Sequence, residues 1–278
     1  MRRCLALALL LVTALAGCGG SEHARVDPEL MLDQATARGI SNANVEINAS
    51  LRVLGVDRLS QPLRLRLDGP YVSNGTERIP SFDWRLSASA LGFPVGGKVL
   101  STGDNVYLSL YGNDYEVGRS AVAAANQRIQ QASAAAGSPH EGRLRSWFGS
   151  ARVAGSDSAG GTDCERIATR LRPDQTSADL APLASALGIS QPLGVSGRAT
   201  ACVGYDDRRF HELDLDAVIE FAPADRAQLG GATGARLNAD VVISDIGEQQ
   251  PVSAPKGDFR PIQDLFLTLN DLGVPIPH

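Results

Sequence analysis

Apolar and polar residues alternate along several stretches of the chain. The clearest is PLRLRLDGPY at residues 62–71, where Leu63, Leu65 and Leu67 are separated by charged residues. The same period of two occurs in five other stretches: 44–53, 82–90, 106–111, 208–221 and 237–243. Such alternation predicts antiparallel strands with one apolar face and one solvated face. Gly69-Pro70 and Asn74-Gly75 are among the turn signals between them.

Helical patterns are fewer and stand apart from the strands. Asp27 followed by Pro28 predicts a capped helix start after residue 27. Three more helices are predicted at 119–136, 174–187 and 262–272. Residues 137–161 are rich in Gly and Ser, and we expect a connecting region with a short helical turn there.

The order of these elements predicts the fold class. Strands outnumber helices and follow one another directly, which favours α+β over a βαβ arrangement. So many antiparallel strands with one apolar face must curl around something, and the last three helices are the predicted filling. We therefore expect a strongly curved antiparallel sheet, a half-barrel, wrapped over α-helices. A single domain over 27–278 is the simplest interpretation; two halves meeting near residue 140 are the alternative.

The N-terminus carries the most specific motif. Arg2 and Arg3 precede an apolar run that ends in Leu15-Ala16-Gly17-Cys18, which resembles the lipobox of bacterial lipoproteins. The resemblance implies that residues 1–17 are a signal peptide and that Cys18 becomes lipidated, with 18–26 as a short tether. The chain would then be lipid-anchored on the extracytoplasmic face of a cell membrane. An ordinary secretory signal with an incidental cysteine is the alternative.

Export changes the interpretation of the remaining cysteines. Cys4 would leave with the signal peptide, so Cys164 and Cys202 are an even pair in an oxidising compartment. A disulfide is the favoured interpretation, and two buried free thiols are the alternative. Neither cysteine has a histidine or second cysteine at metal-ligand spacing, so no metal site is predicted.

Charge and motifs exclude several classes of function. The net charge of −5 argues against nucleic acid as a partner, because phosphate binding requires a clustered basic surface. The four histidines lie at unrelated positions, and the sequence contains no nucleophile elbow, Walker loop or dinucleotide fingerprint. Asp206-Asp207 is explained by a hairpin turn. We therefore predict no catalytic residues, no cofactor and no enzyme activity.

The pattern as a whole resembles the LppX/LprA/LprF/LprG group of actinobacterial lipoproteins, which are related in fold to LolA and LolB. The resemblance rests on the lipobox, the order of elements, the stretch LSTGDNVYL at 100–108 and VGYDDR at 203–208 leading into a strand. It implies a curved sheet over helices, with a hydrophobic cavity between them that accepts acyl chains of glycolipids or other lipoproteins. The cysteine pair departs from the expected pattern.

Two functional hypotheses follow. In the first, the chain is a membrane-tethered lipid carrier, and its inward residues line a cavity; the candidates are Leu63, Leu65, Leu67, Trp84, Leu86, Leu108, Leu215 and Ile219. In the second, it is an envelope interaction protein with a solid core and no ligand. The small inward residues Ala49, Ala88 and Ala217 favour the carrier, because they leave room that bulky side chains would fill.

Overall fold

The computed structural model describes residues 27–37, 39–56, 61–75, 78–90, 93–110, 112–136, 145–186, 192–248 and 251–271. The predicted signal peptide, Cys18 and the tether lie outside the described residues. None of the helices in the described part of the chain is long and apolar enough to cross a membrane.

Five helices and twelve strands are described. The helices are α1 (Pro28–Ala37), α2 (Arg119–Ala136), α3 (Pro173–Ala186), α4 (Pro223–Arg226) and α5 (Ile262–Asp271). The strands of the first half are β1 (Asn42–Leu54), β2 (Leu63–Val72), β3 (Ser81–Ala90), β4 (Phe93–Thr102), β5 (Val106–Leu110) and β6 (Asn113–Glu116). Those of the second half are β7 (Phe148–Ala159), β8 (Thr162–Leu171), β9 (Pro192–Gly204), β10 (Phe210–Phe221), β11 (Gly234–Ser244) and β12 (Arg260–Pro261). All four predicted helices are present, within two residues of their predicted starts.

All twelve strands form one open sheet. Their order is β12-β6-β5-β4-β3-β2-β1-β11-β10-β9-β8-β7, so β1 joins the two halves of the chain by pairing with β2 on one side and β11 on the other. Every pair is antiparallel except β12 with β6, which is parallel. The predicted α+β class with a large, curved, open antiparallel sheet is confirmed.

The predicted connecting region over 137–161 has three outcomes. Residues 137–144 lie outside the described residues, the predicted short helical turn is present at 145–147, and the prediction is wrong for most of the remainder. Residues 148–159 form β7, the edge strand that pairs with β8. Most of β7 is exposed, so the strand does not require apolar side chains and can be rich in Gly and Ser. Backbone hydrogen bonds to β8 hold the strand in the sheet. Composition alone therefore favoured a loop where an exposed edge strand exists.

Helix α1 begins as predicted and attaches to β7. The Asp27 carboxylate accepts the backbone N–H of Glu29 at 3.0 Å, which caps the helix. Glu29 in turn accepts the backbone N–H of Ala151 at 2.6 Å and an ion pair from Arg145 at 2.7 Å. These bonds fix α1 against the edge strand.

The solid core occupies only one half of the sheet. It is formed by buried residues of α1, β7, β8, β9 and β10: Met31, Leu32, Ala35, Phe148, Ile167, Leu171, Val195, Ala199, Ala201, Val203, Phe210 and Ala217. Leu180 of α3 packs against it as well. Among the described residues, β1–β6 contribute nothing to this cluster.

The helices that cover the sheet differ in part from the prediction. Helix α1, which was not predicted as filling, buries Met31, Leu32 and Ala35 almost completely, while α3 packs against β9 as expected. Helix α2 is instead held at the end of β3 and β4, where the Asn126 amide donates to the Gly103 carbonyl and accepts the Ile79 N–H. The Ala- and Gln-rich surface of α2 offers too little apolar area to fill a core.

Candidate functional site

The eight candidate cavity residues share one face of the sheet. Leu65 lies opposite Ala49 on one side and Ala88 on the other. Leu215 lies opposite Ala239 and Ala199, which continue the same row across the central strands. The strand register places the other candidates on the same face. Leu63 pairs with Leu51, Leu67 with Leu86, both Trp84 and Leu108 with Val99, and Ile219 with Ala235. We call it the apolar face.

The apolar face has two different environments. Leu215 and Ile219 pack against the solid core in the half that α1 and α3 cover. Leu63 and Leu65, by contrast, are 37% and 36% exposed. Leu67, Leu86 and Leu108 are only partly buried. Leu215 and Ile219 are themselves partly buried. The predicted lining residues therefore separate into two that pack against the solid core and six that do not. We call the surface of these six the open half (the apolar face of β1–β5).

An aromatic pair lies on the open half. Phe82 and Trp84 stack in parallel, with ring centroids 4.3 Å apart. Trp84 is two residues from Leu86, which faces Leu67 across the β2–β3 pair. The chain has only two tryptophans, and the other, Trp147, packs against the solid core and donates to Asp179 at 2.8 Å. Trp84 is therefore a selective optical reporter of the open half.

A hollow of about 1330 Å³ opens on the opposite, polar face. On each central strand it is lined by three consecutive residues, such as Arg64, Leu65 and Arg66. The first and third of these have their side chains on the polar face. Of the eight candidates, only Leu65 and Leu215 are among its lining residues. The hollow is lined mainly by charged and small polar side chains, so it is not the hydrophobic cavity that the sequence predicts.

An acidic cluster lies at one side of this hollow. Oxygen atoms of Glu212, Asp214 and Asp240 all lie within 4.8 Å of one another. Arg166 forms an ion pair with Asp214 at 2.5 Å and a longer one with Glu212 at 3.5 Å. One guanidinium group therefore pairs with two of the three carboxylates. Sequence reasoning missed this cluster, because Asp240 reaches it only through the β10–β11 register.

The pKa values of Glu212 and Asp240 are both raised in this cluster. Burial raises the pKa of Glu212, and the neighbouring Asp214 carboxylate raises it further. Burial likewise raises the pKa of Asp240, and its contact with Asp214 adds to the effect. On the same strand pair, hydrogen bonds from Arg236 lower the pKa of Asp216. Along the β10–β11 pair, carboxyl pKa values are therefore raised at Glu212 and Asp240 and lowered at Asp216.

Asp240→Asn is expected to stabilise the protein at neutral pH. A carboxyl group with a raised folded-state pKa destabilises the fold once it is ionised, and this penalty vanishes as pH falls toward the ordinary aspartate value. Because Asp240 is partly solvated, screening keeps the effect small. We expect Tm to rise by about 1–3 °C at pH 7 and to stay unchanged near pH 3.5, as measured by thermal unfolding.

Asp216→Asn is the matched control and should act in the opposite direction. Its lowered pKa means that the ionised form stabilises the fold above the ordinary pKa, and that this stability disappears as pH falls. Arg236 donates to it at 3.1 and 2.8 Å. The variant should lower Tm at pH 7. Equal losses from both substitutions would contradict the assigned electrostatics.

The two remaining cysteines are joined in the structure. Cys164 and Cys202 form a disulfide between β8 and β9, with their Cα atoms 5.4 Å apart. Both are completely buried and pack with Ala159. They lie on the polar face, where Cys202 is opposite Arg166.

The hairpin residues have a structural role. Asp207 accepts the backbone N–H of Arg209 at 3.0 Å and contacts His211 Nε2 at 3.0 Å, across the turn between β9 and β10. This agrees with the prediction that Asp206-Asp207 belongs to a turn.

The fold is similar to several solved structures. These include LprF from Mycobacterium bovis, with 13% sequence identity and a TM-score of 0.48 over 83% of this chain and 97% of that chain. The lipoprotein LppX from Mycobacterium tuberculosis has 14% identity and a TM-score of 0.45 over 81% of this chain and 98% of that chain. A LolA superfamily protein from Nitrosomonas europaea has 9% identity and a TM-score of 0.24 over 83% of this chain and 96% of that chain. No family model and no curated protein matches the sequence.

Proposed function

We propose that this chain is a membrane-tethered, non-catalytic carrier that binds an acyl chain of a lipid or acylated molecule on the open half. The observation that carries the proposal is the incomplete burial of its leucines. Leu63 and Leu65 are more than one-third exposed, whereas Ile167 and Ala201, on the same face in the half with the solid core, are almost completely buried. A contiguous apolar surface in water is unfavourable by about 25 cal/mol per Å², and such patches mark interaction sites.

An acyl chain suits the shape and chemistry of this surface. The leucines of β2 lie opposite alanine, leucine and isoleucine residues of β1 and β3, so the surface is apolar in both directions across the sheet. Small residues such as Ala49 and Ala88 leave shallow depressions between the leucines, and a flexible hydrocarbon can follow such relief. The proposed lipidation at Cys18, with its short tether, would keep this surface near a supply of lipid.

The alternative is an interaction protein without a ligand. The solid core beneath α1 and α3 favours it, since that half of the apolar face needs no ligand to be buried. In that case a protein partner would cover the open half.

Native mass spectrometry of the Cys18→Ser protein, produced from residue 18 in an oxidising compartment, distinguishes the two. We expect one bound acyl species per chain, recovered by organic extraction. We also expect a brominated fatty acid to quench Trp84 fluorescence in delipidated protein, and Trp84→Phe to remove most of that response, since Trp147 lies on the solid core. A clean unliganded mass with no uptake on titration would refute the carrier.

A matched pair of substitutions locates the binding surface. Leu63→Asp places a charge on the open half, and we expect at least a tenfold loss of fatty-acid affinity. Val153→Asp makes the same kind of change at an apolar residue that is 46% exposed on β7, away from the open half. It should leave the affinity unchanged. Equal losses from both would contradict the assigned surface.

A further inference from the structure

The hollow on the polar face is lined by strands from both halves of the sheet, including β2 and β3 on one side and β7 and β8 on the other. The disulfide between Cys164 and Cys202 packs with Ala159 on the same face, beyond the lining residues Ala168 and Thr200. The β7–β8 turn comes so close to β11 that a side chain at Gly160 would overlap the carbonyl of Ile243. The edge strand β7 thus curls toward β11 and gives the hollow two walls.

Charge changes along the polar face from the disulfide toward the outer end of the hollow. Nearest the disulfide lie Arg166 and Glu212, which belong to the ion-paired cluster described above. Four residues further along β8 and β10, in the row that contains Arg170 and Asp216, the arginines outnumber the acids: Arg64, Arg170 and Arg198, against Asp216. The outer end of the hollow is therefore basic, on a chain whose net charge is −5.

Three arginines on neighbouring strands concentrate this charge. Arg170 of β8 lies directly opposite Arg198 of β9, and like charges in that position destabilise a sheet. Arg152 of β7 lies opposite Ala168, which is two residues from Arg170 on β8, so both arginines are on the same face. We call Arg152, Arg170 and Arg198 the arginine rim.

The chain itself neutralises little of the rim. Arg152 and Arg170 have no ion-pair partner among the residues that the structure describes. Arg198 approaches Asp216 at 3.4 Å, but Asp216 is engaged more closely by Arg236 at 2.8 Å. Two uncompensated guanidinium groups therefore border a large hollow.

We infer that the arginine rim binds a ligand with two phosphate groups linked by a polyol. Guanidinium groups donate paired hydrogen bonds to phosphate oxygens. Strands lie about 4.8 Å apart, so arginines on three neighbouring strands span about 10 Å, which suits two phosphates on one small molecule. The hydroxyls of Ser150 and Thr200 also line the hollow and can bond to a polyol. This site is on the face opposite the proposed acyl surface and does not depend on it.

Calorimetric titration at low salt tests the inference with two probes. Fructose 1,6-bisphosphate represents a free ligand, and vesicles of cardiolipin in phosphatidylcholine represent a lipid headgroup with the same two-phosphate chemistry. We expect saturable binding of at least one probe that weakens as salt is added. Binding of the soluble probe would identify a free ligand, and binding of the vesicles alone would identify a headgroup.

The decisive comparison is between variants of equal charge. In Arg152→Gln/Arg170→Gln we expect at least a tenfold loss of affinity for the probe that binds. Arg128→Gln/Arg119→Gln removes the same charge from exposed positions of α2 and should change the affinity less than twofold. Binding of neither probe, equal losses in both double variants, or vesicle binding that the rim variant leaves intact would overturn the inference.

Thermal unfolding of the unliganded rim variant tests whether a loss of affinity reflects misfolding. Removing Arg170 relieves its repulsion with Arg198, so the unliganded rim variant should unfold at the same or a higher temperature than the parent. A lower Tm would show that these arginines stabilise the fold, and would count against a ligand role.

Discussion

Loss of the Cys164–Cys202 disulfide is expected to lower the free energy of unfolding by about 4 kcal/mol. The two cysteines are 38 residues apart in sequence, and the loop between them contains α3 and most of β9. Without the covalent bond this long segment gains conformational freedom in the unfolded chain. Since total stabilities of domains are about 5–15 kcal/mol, the loss would be a large part of the whole.

Urea unfolding of the Cys164→Ala/Cys202→Ala protein measures the loss. The protein is produced from residue 18 in a Cys18→Ser background, so that no thiol remains. Alanine keeps the Cβ atoms of both fully buried side chains, which limits the cavity contribution. The parent protein treated with a reductant under denaturing conditions and refolded is the control, and should show a similar midpoint. A loss below about 1 kcal/mol would mean that the β8–β9 pairing already constrains the unfolded chain.

The alternation of residues predicted which side chains share a face. In β2 it placed Leu63, Leu65 and Leu67 together, and the register with β1 and β3 agrees. The caps and breakers predicted helices equally well: Asp27 caps α1, and α2 spans the predicted 119–136. These signals are local, because they depend only on neighbouring residues in the chain.

What covers each face could not be predicted in the same way. Leu215 and Leu65 have similar patterns in sequence, yet Leu215 packs on the solid core, whereas Leu65 has no place in it and is 36% exposed. The difference arises because α1 docks over β7–β10, and docking depends on contacts between distant parts of the chain. Strand order is equally non-local: the pairing of β1 with β11 joins residues about 200 positions apart.

Both polar sites were missed for the same physical reason. Asp240 meets Glu212 and Asp214 only when β10 and β11 pair in the observed register. Arg152 joins Arg170 only because residues 148–159 form a strand, which their Gly- and Ser-rich composition did not indicate. A charge cluster assembled across strands leaves no motif in the sequence.

The asymmetry of the apolar face predicts very different costs for the same substitution. Leu32→Ala removes a completely buried side chain between α1 and the sheet, and we expect it to lower the free energy of unfolding by about 3 kcal/mol, through lost burial and the cavity left behind. Leu63→Ala removes a leucine that is 37% exposed on the open half. Its expected cost is below about 1 kcal/mol, because water already reaches the site.

Urea unfolding of delipidated protein measures both values under one condition. Because both substitutions replace leucine by alanine, a difference between the two free energies of unfolding reflects the surroundings of each residue. Adding a saturating fatty acid should then raise the stability of the parent and the Leu32→Ala protein alike, and that of the Leu63→Ala protein less, since ligand that binds only the folded state stabilises it by mass action. If Leu63→Ala instead costs as much as Leu32→Ala without ligand, the open half is packed in solution, and the interaction protein with a solid core is the correct description.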